Sequence, residues 1–378
     1  MSDSGIEKRV KRHIKAKTHN FFAVYPPGFS ECAEKEISKV EGAENISVEY
    51  GGINFSGKMD TLYRTTLQLR GSARILMRIT EFHAENFREL KRKTESVPWE
   101  LYAGENFSFD YSVSCEKSRL YHSGAVEETL KEAMHNKTSD QGISHTIFAR
   151  IVNDRCTLSI DTSGDPLYKR GYKIMTPEAP LRENICAMIL NQFPLNKYSA
   201  IIDPMCGGGT FTLEACSLLG HISPFHENRI FAFQKFPVYS EKTFLDIKRR
   251  LSVEKSQTDF FVFDINDESI KVSLHNFSHA GITEIVKTEK TDFFSLQRKN
   301  FPDGKILLVL NPPYGKRIET DDSIFRKIYA KLKNDFSDAS FAVILPDNES
   351  EIFTERFDCK RIMFSNGGIK VSAIIREV

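Results

Sequence analysis

"AIIDPMCGGGTFTLEA", residues 200–215, decides the fold. An apolar run ends on Asp203, a turn with Gly207, Gly208 and Gly209 follows, and a helical pattern begins near Thr210. Glycines in such a turn let the backbone approach a ligand closely, and the start of a helix aims free N–H groups at it. A lone glycine-rich turn is weak evidence, but this one stands where strand gives way to helix, as a ligand-cradling turn requires. It lacks Gly-Lys-Ser/Thr, which disfavours a triphosphate P-loop. Its spacing is not GxGxxG, which makes a nicotinamide dehydrogenase a poor second.

Working outward, strands are expected at 199–204, 259–264, 283–288, 305–311 and 340–346, with helices at 210–219, 267–280 and 322–336. Strand and helix in regular alternation predict βαβ units and a parallel, doubly wound sheet. The last 20 residues differ: two strand-like runs flank Asn366-Gly367-Gly368, a hairpin signal. In such a sheet the ligand lies beyond the C-terminal ends of the strands, near the point where strand order reverses. Asp264 ends the second strand, where a carboxylate can accept hydrogen bonds from ribose hydroxyls. Asp292 follows the third, where a polar group can take the exocyclic amine of an adenine. Taken singly, each acid reads equally well as a solvated loop residue. Their order along the chain, ahead of the next motif, tips the balance.

That motif is "NPPYGKR", residues 311–317, directly after the apolar "KILLVL". Pro312 and Pro313 remove two backbone donors and set two φ angles. They also push Asn311 and Pro312 toward extended geometry. A stiff loop beyond a strand end suits a site that must hold a reacting group, although a bare Asn-Pro-Pro is as often an ordinary turn.

The whole chain has 378 residues, 40% apolar and 27% charged, enough for two or three soluble domains. No apolar run is long enough to span a bilayer, and the polar, basic start does not resemble a signal peptide. Seven scattered cysteines without CxxC pairs suit reduced thiols in the cytoplasm rather than disulfides or a zinc site. The net charge of +1 leaves any nucleic-acid partner to local basic patches. Residues 1–19 hold six Lys/Arg against two acids, a balance of +4, and are expected as a flexible basic tail. Residues 20–165 read as an α+β region of short strands and helices, 166–180 as a linker, and 181–378 as the α/β domain. "FRELKRK" (87–93) and "RGSAR" (70–74) supply charge that reads equally as RNA contact or solvated surface.

A parallel sheet closed by an antiparallel hairpin is the outline of class I, Rossmann-like methyltransferases. "DPMCGGGT", "NPPYGKR", "GDPLYKRGYK" and "APLRENICAMIL" resemble the bacterial RNA guanine-N2 methyltransferases that carry a THUMP domain. "GGINFSGKMDTLYRTTLQLRGSARILMRITEF" resembles the segment leading into that domain, so the likeness runs from about Phe21 to the C-terminus. Gly208 stands where the family usually has Ser, and Lys316 where Glu is common. The family also carries an insertion where residues 221–258 lengthen a βα connection. The resemblance implies a ferredoxin-like/THUMP region that binds RNA. It also implies S-adenosylmethionine (SAM) as methyl donor, with Asp203, Cys206, Gly207, Gly209, Thr210, Asp264 and Asp292 around it, and no metal.

It gives the proline loop a chemistry. An exocyclic base amine is a poor nucleophile because its lone pair is delocalised into the ring. Asn311 Oδ1 and the Pro312 carbonyl offer two acceptors that hold both amine hydrogens, Pro313 stiffens the loop, and Tyr314 suits stacking on an extruded base. Arg317 suits a nearby phosphate. The expected activity is N2-methylguanosine formation, in 23S rRNA first and tRNA second. DNA-adenine and protein-glutamine methyltransferases share NPPY, but the N-terminal half argues for RNA. A non-catalytic RNA-binding assembly factor is the rival of another class.

Overall fold

The computed structural model describes residues 3–104, 107–134, 143–175, 181–251, 254–314, 323–355 and 357–378. Two compact units share them: Met1–Tyr25, Glu34–Leu167 and Ile230–Leu251 in one, and Pro26–Ala33, Tyr168–Arg229 and Ser252–Val378 in the other.

In the first unit, α1 (Asp3–Val10) precedes β1 (His19–Val24), α2 (Ser30–Ser38), β2 (Glu44–Glu49), β3 (Gly52–Gly57), α3 (Met59–Gln68) and β4 (Arg74–His83). Then come α4 (Phe87–Glu95), α5 (Glu100–Ala103), β5 (Phe107–Glu116), α6 (Ser123–Met134), β6 (Ile143–Val152) and β7 (Arg155–Asp161). The strands form one sheet ordered β2-β3-β1-β4-β7-β6-β5. Its first four strands pair antiparallel, with α2 and α3 as the two crossovers, which is the split βαβ arrangement of a ferredoxin-like domain. Beyond them, α6 joins the parallel pair β5 and β6, and β7 returns antiparallel to β4. Alternation buries one face: Phe21 and Ala23, Ile53 and Phe55, Ile75 and Met77, Ile147 and Ile151.

Three features here depart from expectation. β5 is a strand where the sequence leads one to expect none between "ARILMRIT" (73–80) and "TIFARIVNDRCTLSIDT" (146–162), although "FSFDYSVSCE" alternates. It is the sheet edge, where alternate Ser, Asp and Glu residues meet water. The basic start is helical rather than a loose tail, because Val10 and Ile14 stand one turn apart and are both buried, while Arg9 pairs with Glu100 at 3.1 Å. In "RGSAR", Arg70 is buried and Arg74 bonds Asp161, so neither is a solvated surface charge. In helix α4, Phe87, Arg88 and Arg92 of "FRELKRK" are exposed and Leu90 is buried.

The second unit continues with α7 (Glu183–Leu190), β8 (Ala200–Asp203), α8 (Thr210–Leu218), β9 (Asp259–Asp264), α10 (Asp267–Ala280) and β10 (Val286–Lys290). It ends with β11 (Ile306–Leu310), α11 (Ser323–Asp335), β12 (Ser340–Pro346), α12 (Glu351–Thr354), β13 (Lys360–Asn366) and β14 (Ile369–Arg376). Between α8 and β9 the chain contributes α9 (Glu241–Arg250) to the first unit, where Phe233, Tyr239 and Phe244 surround Tyr63 of α3. That aromatic cluster accounts for much of the long βα connection.

The second sheet is ordered β10-β9-β8-β11-β12-β14-β13. The first five strands pair parallel, β14 runs against them and β13 pairs antiparallel with β14, so the α/β sheet closed by a hairpin is the observed fold. Gly367 and Gly368, at φ 58° and 83°, form the two-residue hairpin turn. β10 lies at 286–290 rather than 283–288, because its parallel register sets Lys290 beside Asp264. Strand order reverses at β8, with β9 and β10 on one side and β11 and β12 on the other. Among the described residues no helix is long and apolar enough to cross a membrane, and all seven cysteines are free thiols.

Candidate functional site

The parallel strands bring their C-terminal ends to one edge, and the reversal at β8 opens that edge between the loops after β8 and β11. Behind the first loop lies Asp203, 2% exposed, whose Oδ2 accepts a hydrogen bond from Thr212 Oγ1 at 3.1 Å. Burial, with Asp264 nearby, pushes the Asp203 carboxyl up to about 7. It braces the turn from beneath. Cys206 is also buried; its backbone N–H donates to the Phe263 carbonyl, and burial pushes its thiol far up.

The next residue faces outward. Gly207 has φ +51°, and nothing stands within 4 Å of where a Cβ would be. Its N–H donates to Asp264 Oδ2 at 2.9 Å, while Oδ1 accepts from the Asn266 N–H at 2.9 Å. Two backbone donors therefore orient this half-buried carboxylate and leave it lone pairs for further donors. Gly209 is the reverse case. At φ +76°, an added Cβ would sit 2.6 Å from the Phe277 ring of α10, so this side of the turn is packed shut. Helix α8 starts on Gly209 without a side chain from its N-cap, and within its first turn the Thr212 N–H turns to the Asp203 carboxylate. Thr210, its first residue, accepts a hydrogen bond from Lys173 Nζ at 3.4 Å.

Asp292 lies one strand over. It is exposed and caps a short turn, its Oδ1 accepting from the Phe294 N–H at 3.0 Å. The Thr291 N–H donates to the Asp264 carbonyl, tying the two strand ends together.

Across β8, the register pairs Leu308 of β11 with Ile202, so Leu310 and the proline loop reach the edge where the glycine turn begins. Pro312 is buried, and Asn311 Oδ1 is buried with no hydrogen-bond partner among the described residues. An orphaned buried acceptor costs about 1–3 kcal/mol, so it marks a place built for a donor. Tyr314 is only 9% exposed, and its hydroxyl accepts from Asn366 Nδ2 at 2.8 Å on the hairpin. Its ring is thus pinned as well as positioned. Arg317 lies outside the described residues.

Several supports were not foreseen. "GDPLYKRGYK" carries a fully buried pair, Arg170 with Glu214 at 3.3 Å, joined by the Tyr172 hydroxyl donating to Glu214. Lys173 pairs with Glu183 at 2.9 Å. Asn276 of α10 and Asn366 of β13 are further anchors. Basic residues ahead of the domain hinted at the first pairs, but only the fold brings their acids near.

A family model described as "RMKL-like, methyltransferase domain" matches residues 170–369. The chain belongs to this family. A second model, the RlmL ferredoxin-like domain, matches residues 20–76. The RMKL-like chain is 28% identical over 342 residues to the ribosomal RNA large subunit methyltransferase K/L of Psychromonas ingrahamii, covering 85% of this chain and 44% of that protein. With the same-named protein of Vibrio parahaemolyticus it shares 24% identity, covering 93% of this chain and 52% of the other. The chain thus spans about half the length of the curated relatives it matches. Among solved structures, SMU.472 complexed with SAH superposes with TM-score 0.83 and 26% identity over 96% of this chain and 99% of that one. A possible methylase from Clostridium difficile 630 gives TM-score 0.83 and 27% identity over 95% and 98%.

Proposed function

We propose that this protein is a cytoplasmic, SAM-dependent RNA methyltransferase that makes N2-methylguanosine in large-subunit ribosomal RNA. The observation that carries the reading is the orphaned Asn311 oxygen at the strand-order reversal, beside a glycine turn with one open side. Support for the methyl donor comes from the SAH in the SMU.472 structure and from how the residues fit it. Gly207 leaves room for close approach, the Asp264 carboxylate suits ribose hydroxyls, and Asp292 presents a free edge one strand away. The donor, when bound, supplies an electrophilic methyl group.

The chain's own contribution is geometric. Asn311 Oδ1 and the Pro312 carbonyl accept the two hydrogens of the guanine amine, which draws its nitrogen toward tetrahedral geometry. Preorganised acceptors of this kind act without a strong base. Tyr314, held by Asn366, forms the wall against which the base lies. Support for RNA, and for the ribosomal large subunit, comes from the names of the relatives and from the ferredoxin-like and THUMP-type N-terminal unit.

Nucleoside mass spectrometry of size-separated RNA from a deletion strain tests the reading. Loss of N2-methylguanosine from large-subunit RNA is expected. Loss from tRNA alone would move the substrate to tRNA, and no loss anywhere would leave a non-catalytic RNA-binding protein.

A further inference from the structure

One face of α10 is moulded to the glycine turn. Ser273, Asn276 and Phe277 stand at i, i+3 and i+4, which share a helix face. The first and last abut Gly209, at 3.4 and 2.6 Å from where its Cβ would be. Asn276 is fully buried and uses all its hydrogen-bonding capacity in two directions. Its Nδ2 donates to the Gly208 carbonyl at 3.0 Å and to the Met175 carbonyl at 2.9 Å. Its Oδ1 accepts from the Ile174 N–H at 3.1 Å and the Met175 N–H at 2.9 Å. A single rigid amide therefore spans the cofactor turn and the segment by which the chain enters the methyltransferase unit.

Two further ties join the same segment to α8. Arg170 and Tyr172 hold Glu214, and Lys173 reaches Thr210. Gly171 is ordered as well, its carbonyl accepting from His279 at 3.2 Å. Residues 170–175 are thus tied both to the helix after the turn and to the helix beneath it, with Lys173 reaching Glu183 of α7 as well.

We infer that Asn276 is a positioning residue that couples occupancy of the glycine turn to the order of residues 170–175. The inference rests on the cofactor reading above. A ligand that stiffens the turn holds the Gly208 carbonyl in place, which holds the Asn276 amide plane, which holds the Ile174 and Met175 amides. Release of the ligand loosens the chain in reverse order. The segment joined to the N-terminal unit in sequence is then better ordered when methyl donor is bound.

Hydrogen exchange with and without SAH tests the coupling in the full-length wild type and in Asn276→Asp. The substitution keeps the acceptors for Ile174 and Met175 and removes the amide hydrogens donated to the Gly208 and Met175 carbonyls. In the wild type, SAH is expected to slow exchange of the Ile174 and Met175 amides several-fold. In the variant, SAH affinity by calorimetry falls roughly tenfold, the scale of one lost buried hydrogen bond. At saturating SAH its Ile174 and Met175 amides no longer respond, a loss of coupling that a merely structural role does not produce. Should the variant not fold, the wild-type arm decides: SAH binding with unchanged exchange at 174–175 overturns the coupling. So does a folded variant that binds and protects as the wild type does. A wild type that binds no SAH overturns the cofactor reading itself.

Discussion

Asn311 draws its leverage from what it lacks. Most buried side-chain oxygens in a folded protein have a donor, and this one has none among the described residues. The two prolines after it explain why the cost is tolerated: the loop cannot relax to find a partner. Asn311→Ala should relieve that burden, leaving stability unchanged or slightly improved by urea denaturation. SAH affinity by calorimetry should hold, because the glycine turn and Asp264 are untouched. Turnover should drop by about 10² to 10³, the loss seen when one preorganised polar contact is removed from a reacting centre. Single-turnover methyl transfer measures it. A variant with near-normal turnover would remove Asn311 from the chemistry, and one that lost SAH binding would make the loop part of the cofactor site.

Among the elements, the strand–turn–helix of β8 and α8 carries two glycines whose left-handed backbones look alike and whose surroundings do not. Gly209→Ala forces a Cβ into the Phe277 ring from a left-handed backbone, so stability should fall by about 2 to 4 kcal/mol. Gly207→Ala meets no protein atom and should cost only about 1 to 2 kcal/mol, while SAH affinity falls at least tenfold. Urea denaturation and calorimetry on both variants separate a packing glycine from a ligand-approach glycine. Affinity surviving Gly207→Ala would mean that the ligand does not use this side of the turn.

This element was readable because its signals are local: an apolar run, then glycines, then helical spacing within 16 residues. Helix α10 and the Asn366 hairpin were readable for the same reason. What stayed hidden depends on partners far along the chain. Asn276 looks like any polar residue inside a helix until residues 174 and 208 arrive on its two sides. Helix α9 looks like part of an insertion until Tyr63 supplies its partner. Strand β5 was missed though it alternates, since half its side chains are small polar groups that also suit a loop.

At the scale of the whole molecule, the two units should answer pH in opposite directions. His145, on β6, is 2% exposed between Phe109 and Phe236, and burial pulls its pKa down to about 4. The Ala103 backbone opposes this weakly, without a proper hydrogen bond to either ring nitrogen. A depressed histidine favours the folded state fully above its unfolded value of 6.5, and that stability is lost as pH falls toward about 4. For Asp203, raised from 3.8 to about 7, the sign is reversed. The unfolded carboxyl ionises first, so the buried group increasingly opposes folding as pH rises from about 4 to about 7. His145→Phe, which fits its aromatic neighbours, should therefore gain about 2 kcal/mol more over the wild type at about pH 5 than at about pH 7.5. Asp203→Asn keeps an acceptor for Thr212 and should gain more at the higher pH. Because the substitutions lie in different units, segment-resolved hydrogen exchange at both pH values assigns each gain to its own sheet. Gains independent of pH would mean that neither group changes ionisation on folding, and gains in the same direction would overturn the assignment of one of them.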